Sequence, residues 1–237
     1  MRYALLAGSL LGLAAAQTGK LGDAYVTTNN PPNTLYQATL LDKPNTDIRG
    51  TVTVRGAPDG RGIYYDVDMS GFPSTGGPFL YHVHASSVPA DGNCTGTLAH
   101  LDPFQRGEVP GCNSSAPQTC EAGDLSGKYG RIPGPGNFKA NYLDLYTTNV
   151  PGLGSFVGNL SIVVHWANRT RVNCGNFTLL GGGRPMPTGV MPTGVMPTGG
   201  MRPSQTPYPP MFPGAGSRLS SAFSTVGVVA VVAGLLL

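Results

Sequence analysis

Histidine is scarce in this chain: four residues in 237, at positions 82, 84, 100 and 165. Long helical periodicity is absent, so nothing in the chain points to a helical bundle. A basic surplus is also missing from the part that can fold. The formal charge is +3, but four of the fifteen basic residues lie outside residues 17–180 and all twelve acidic residues lie inside. That leaves 11 basic against 12 acidic, a net −1 for the segment. Nucleic-acid binding calls for a basic face, and none is expected here. The apolar C-terminal tail, Val226 to Leu237, is shorter than the roughly 20 residues a spanning helix needs.

What is present begins with the two ends. Met1-Arg2, an apolar run to Leu13 and Ala14-Ala15-Ala16 form the layout of a secretory signal peptide over residues 1–16. At the other end, the small cluster Gly214 to Ser217, a mostly polar spacer to Thr225 and the apolar tail form the layout of a GPI-attachment signal. Residues 217–237 would then be removed on maturation, and a transmembrane anchor is the alternative. Between fold and anchor, residues 181–216 hold "MPTGVMPTGVMPTGG" and a second Pro-rich stretch. Such composition builds no core and reads as an extended stalk, holding the domain off a membrane or cell wall.

Both end signals place the folded unit outside the cell, where disulfides persist. The four cysteines, Cys94, Cys112, Cys120 and Cys174, allow three pairings, and spacing does not choose among them. Five sequons start at Asn93, Asn113, Asn159, Asn168 and Asn176, candidates for glycosylation.

Residues 17–180 carry short β-rich runs separated by Gly, Pro, Asn and Asp: residues 34–41, 49–56, 62–71, 79–86, 141–148, 159–168 and 174–180. The expected fold is all-β, an antiparallel sandwich or flattened barrel. In a strand, residues two apart share a face. "YHVH" therefore places His82 and His84 together, able to chelate one metal ion. His165 sits in the apolar run "SIVVHWAN", where a lone charged imidazole would be costly. Four imidazoles in β-strand surroundings suit copper or zinc, and copper(II) favours nitrogen-rich tetragonal sites.

The order of these motifs carries a resemblance. "HVH", then Cys-x5-His, "GDLSG", "VVH" and Arg-x-x-Cys together resemble the Cu/Zn superoxide dismutases over roughly residues 20–180. With the two end signals, the chain looks like their fungal cell-surface, copper-only relatives. The resemblance implies a Greek-key β fold and four copper ligands, His82, His84, His100 and His165. It implies an intradomain disulfide between Cys94 and Cys174, leaving Cys112 with Cys120. It also implies that Arg171 guides and binds the anionic substrate, superoxide.

Two departures from the classical pattern sharpen this expectation. No histidine lies between His100 and His165, Glu121 stands where the family has a zinc-site histidine, and Asp124 keeps the aspartate position. So poor a ligand set would hold zinc weakly. The expected cofactor is therefore one copper per chain and no zinc. Second, only five residues separate His165 from Arg171, where the classical enzymes have a long charged loop; an open copper site follows. In the copper-only group a glutamate orients the bridging-type histidine and an aspartate supports it or relays protons. Those roles fall to Glu121 and Asp124, with His100 taking up a proton during turnover. A monomer is expected. The competing reading is a copper-binding, GPI-anchored glycoprotein without turnover, which would need neither Arg171 nor the two carboxylates. A histidine-brace oxygenase would need histidine as the first mature residue, whereas the predicted mature end is near Gln17.

Overall fold

The computed structural model describes residues 18–181, so the expected signal peptide, the expected GPI signal and all of the expected stalk but Gly181 lie outside the described residues. Seven strands form one curled antiparallel sheet: β1 (Leu35–Thr39), β2 (Arg49–Gly56), β3 (Ile63–Phe72), β4 (Leu80–His84), β5 (Gly136–Asp144), β6 (Ser161–His165) and β7 (Arg171–Gly181). Their order across the sheet is β4-β6-β7-β1-β2-β3-β5. The curl brings its ends together. Tyr81 of β4 packs on Phe138 of β5, and Phe79 exchanges backbone hydrogen bonds of 2.7 and 2.9 Å with Ile132.

Two kinds of strand build this half-barrel. β2 and β3 alternate: Val52, Val54, Ile63, Tyr65, Val67 and Met69 enter the core, while Thr53, Asp66 and Asp68 stay out. Period-two alternation buries one face and leaves the other wet. β4 and β6 are buried at every position. Tyr81, Val83, Ile162 and Val164 join the main core, so His82 and His84 necessarily occupy the opposite face. The register sets Leu80 opposite His165 and His82 opposite Val163. Directly opposed residues share a face, so His165 stands on the same outer face as the other two. Loops cover that face, which keeps the histidines from water.

All seven expected strands form, but β5 ends at Asp144 rather than 148 and β6 at His165 rather than 168, and two strands start well before their expected positions. β5 starts at Gly136, five residues before the expected 141, because "GNFKA" pairs with the outer half of β3, Lys139 opposite Asp68. The preceding Pro and Gly disguise it as loop. β7 starts at Arg171, three residues before Cys174. A register shift between Val164 and His165 lets His165 face Arg171; such bulges re-aim side chains. One short helix, α1 (Leu125–Tyr129), starts within the "GDLSG" motif, directly after Asp124.

Two disulfides form, Cys94–Cys174 and Cys112–Cys120. The first ties a 3₁₀ turn at Cys94–Thr97 to the middle of β7. The second closes a local loop beside the histidine face.

Candidate metal centre

The four histidines converge, each offering a ring nitrogen within 4.8 Å of the others. His82, His84 and His165 are buried, at 5%, 0% and 3% exposure. His100 arrives on a separate segment that lies along the free edge of β4. Ala85 N–H donates to Ala99 O at 2.9 Å and Leu101 N–H to Val83 O at 2.8 Å. Next to it runs the segment carrying Glu121: Gly123 N–H donates to Leu101 O and Val83 N–H to Gly123 O, at 2.8 and 2.9 Å. Only glycine allows that approach, since a Cβ at 123 would sit 2.4 Å from Val83 O.

Each imidazole has one nitrogen held by a fixed partner. His84 Nδ1 lies 3.0 Å from Leu98 O, and His165 Nδ1 lies 2.9 Å from Arg169 O. A carbonyl can only accept, so both Nδ1 atoms carry protons and both Nε2 atoms are bare. Those two bare nitrogens face each other at 3.2 Å. His100 Nδ1 is 2.6 Å from Glu121 Oε2. His82 is turned the other way: its Nε2 meets Ser126 Oγ at 3.1 Å and Asp124 Oδ1 at 3.3 Å. Its Nδ1 is buried without any partner. Two facing lone pairs and an orphaned nitrogen would be costly in a buried site with nothing between them. The donor set fits a nitrogen-loving cation: His82 through Nδ1, the other three through Nε2.

Electrostatics support neutral rings. Burial first, and then the neighbouring imidazoles, push His84 down to about 2 and His165 down to about 3. Burial lowers His82 too, against the opposing pull of Asp124. His100 is the exception. Burial lowers it, but the hydrogen bond and charge of Glu121 outweigh burial, and its pKa is raised. Asp124 is held at about 2: burial opposes ionisation, but His82 and the Gly127 amide overcome it. Asp124 is also the cap of α1, accepting from Gly127 N–H at 2.8 Å.

Arg171 lies beside this cluster, on the strand opposite His165. Its Nη1 donates to Cys94 O at 2.6 Å and Thr95 O at 2.9 Å, and its Nη2 donates to Leu98 O. Leu98 O thus serves both Arg171 and His84. A cavity of about 290 Å³ opens over the rings; Arg131, Arg169, Arg171 and Glu108 also line it. Glu108 is bonded to Arg169 at 3.2 Å.

Sequence reasoning missed several supports: Ser126, Thr97, and the carbonyls of Leu98 and Arg169. Thr97 Oγ1 stands 3.1 Å from His84 Nδ1. Leu98 and Arg169 both adopt left-handed backbone, φ 62° and 69°, uncommon for side-chain-bearing residues. Nothing in either residue type announces that conformation. Ser126 was legible in principle, since it follows the capping Asp124 by two positions.

No family model matches the chain. It is similar to an Arthroderma benhamiae protein named cell surface Cu-only superoxide dismutase, 44% identical over 202 residues. That match covers 74% of this chain and 54% of the relative, so the chain spans about half the relative's length. A Candida albicans protein, cell surface Cu-only superoxide dismutase 5, is 39% identical over 159 residues, 67% of each chain. The chain belongs to the fungal cell-surface copper-only superoxide dismutases. The solved structure of Candida albicans superoxide dismutase 5 with Cu(II) superposes with a TM-score of 0.58 and 38% identity, covering 65% of this chain and 96% of that one. Members of this family and this chain therefore share the curled antiparallel sheet.

The suppressed histidine pKa values set a pH dependence for the metal-free protein. His84 and His165 stay neutral when folded but protonate near 6.5 when unfolded. Unfolding then takes up protons below that pH, so stability falls as pH drops from 6.5 towards 3. His100 acts in the opposite sense but is one ring against three, since His82 is lowered as well. The urea midpoint of metal-free protein should be lower at pH 5 than at pH 7; an unchanged or higher midpoint at pH 5 would contradict the assignment.

Proposed function

We propose that this chain is an extracellular superoxide dismutase that works with one copper ion per chain and without zinc. The observation that carries the reading is the pair of bare nitrogens, His84 Nε2 and His165 Nε2, facing each other at 3.2 Å beside the orphaned Nδ1 of His82. Copper bound by His82, His84, His100 and His165 would supply reversible one-electron exchange, oxidising one superoxide to oxygen and reducing another towards hydrogen peroxide. The protein's own groups do the rest.

His100 and Glu121 form a proton-handling pair. Glu121 keeps the ring oriented through Nδ1 and raises its proton affinity. His100 is therefore the ring of the four best suited to hold a proton at Nε2 and to give it up to the product. Asp124 and Ser126 keep His82 presenting Nδ1. Arg171 attracts the anionic substrate; its carbonyl contacts fix the guanidinium in place, which makes its charge a pre-organised one. The cavity leads directly to the rings, in line with an open site.

The zinc-free part of the proposal is supported by what the carboxylates do. Glu121 is committed to His100 and Asp124 to His82 and α1. A carboxylate holding the far nitrogen of a ligating imidazole performs the orienting role that a second metal would otherwise fill.

We further assign residues 1–16 to a secretion signal, 17–180 to the catalytic domain, 181–216 to a stalk and 217–237 to a GPI signal, with a monomer at the membrane or wall. Asn93, Asn113, Asn159 and Asn168 are exposed and suited to glycans. Asn176 is half-buried, and its side chain bonds both backbone groups of Val88, which argues against a glycan there.

Two outcomes are expected. Arg171→Gln should lower superoxide turnover by about tenfold or more while copper stays bound, and Arg171→Lys should recover part of it. Equal turnover in Arg171→Gln and wild type would remove that role, whereas copper-loaded wild type without turnover would make copper binding without catalysis the better reading. Phospholipase specific for GPI anchors should release the protein from intact cells; retention after cleavage would point to a transmembrane or wall-linked form.

A further inference from the structure

Outside the metal centre, the described residues contain one fully buried ion pair. The side chains of Lys128 on α1 and Asp144 at the end of β5 are both completely inaccessible, and Lys128 Nζ donates to Asp144 Oδ2. Burying two charges is expensive, and similar apolar packing often stabilises as well or better. The polar groups around the pair are nearly all satisfied. Asp144 Oδ2 also accepts from Tyr129 Oη at 2.8 Å. Its Oδ1 accepts from Tyr146 N–H at 2.9 Å and from Thr147 N–H and Oγ1, each at 2.7 Å. The ammonium lies 5.4 and 5.3 Å from the rings of Tyr129 and Tyr146.

The remaining contact of Lys128 points to a purpose. Its Nζ donates to Ala122 O at 2.9 Å. Ala122 follows Glu121, which holds His100, and precedes Gly123, which is bonded to the β4 edge. Lys128 thus reaches back across its own segment and fastens both ends to the barrel wall. Between those ends lie Asp124 and Ser126, the two partners of His82 Nε2. A helix of five residues cannot hold itself together in water, so the direction of these side chains has to be imposed from outside.

We propose that Lys128 and Asp144 are positioning residues for the metal centre: their buried contact holds the 121–126 segment so that Glu121 meets His100 while Asp124 and Ser126 meet His82. This rests on the reading that the four imidazoles hold copper. A hydrophobic pair would pack the same space, but only a donor at 128 can bind Ala122 O, and only a buried acceptor at 144 can keep that donor there.

The test uses the full chain, first without metal and then with Cu(II) alone. Lys128→Met would strand Asp144 and could unfold the protein, so the informative variant is Lys128→Met with Asp144→Asn, which removes both charges. With histidine nitrogens labelled, the His82 Nε2 proton of the metal-free double variant should exchange with water at least about tenfold faster than in wild type. Its Cu(II) dissociation constant should rise about 10- to 100-fold, the range for loss of a ligand's supporting partner. Lys128→Arg, which keeps a buried donor, should recover most of both. A folded double variant with His82 exchange within twofold of wild type would overturn the proposal and make the pair a stability element only. Faster exchange with unchanged copper affinity would uphold the clamp and fault the assignment of His82 as a ligand. If the double variant does not fold, hydrogen exchange of wild type decides. The amides of Gly123, Gly127 and Lys128 should open together with that of Thr147. Opening more than about 100-fold more readily than Thr147 would overturn the proposal.

Discussion

Each imidazole of the cluster has one nitrogen spoken for, and the centre depends on that constraint. Carbonyls at Leu98 and Arg169 force the protons of His84 and His165 onto Nδ1. Glu121 does the same for His100, and Asp124 with Ser126 reverses the orientation for His82. Four lone pairs are left to face one another in a buried space. A free imidazole would choose its tautomer by small energies; here fixed partners make the choice before any cation arrives. That is what pre-organisation means for a nitrogen site.

The fold supplies the partners by working both faces of two short strands. Tyr81, Val83, Ile162 and Val164 fill the barrel, and the alternate residues of β4 and β6 carry three of the four histidines outwards. That outer face is buried only because loops are fastened over it. The Cys94–Cys174 disulfide and the carbonyl contacts of Arg171 hold the turn that ends at Leu98. Gly123 and Lys128 hold the segment with the two carboxylates. Arg171 therefore has two duties, as a charge beside the site and as a brace for the loop that sets the His84 tautomer.

How much of this was legible in the sequence varies by element. β2 and β3 announce themselves through alternation, and "YHVH" places two rings on one face by the period of a strand alone. His165 stood out as an imidazole in an apolar run. The start of β5 was hidden because Gly and Pro precede it, although cross-strand pairing with β3 overrides that local signal. The supports of the rings were less visible still. Backbone carbonyls have no residue signature, and left-handed Leu98 and Arg169 run against the preference of their side chains. The Lys128–Asp144 contact joins residues 16 apart, across an element boundary, where no periodicity links them. Sequence spacing finds side chains that share one strand; it does not find contacts created by the curl of a sheet.

The central claim is that four histidines make a complete copper site and that zinc has no part in it. The most direct measurement is a titration of the metal-free secreted chain with Cu(II), following superoxide turnover, with and without added zinc. The account predicts turnover that rises linearly and levels off at about one copper per chain, on the same line whether or not zinc is present. Turnover that stays low until zinc is added, or full copper loading without turnover, would contradict it.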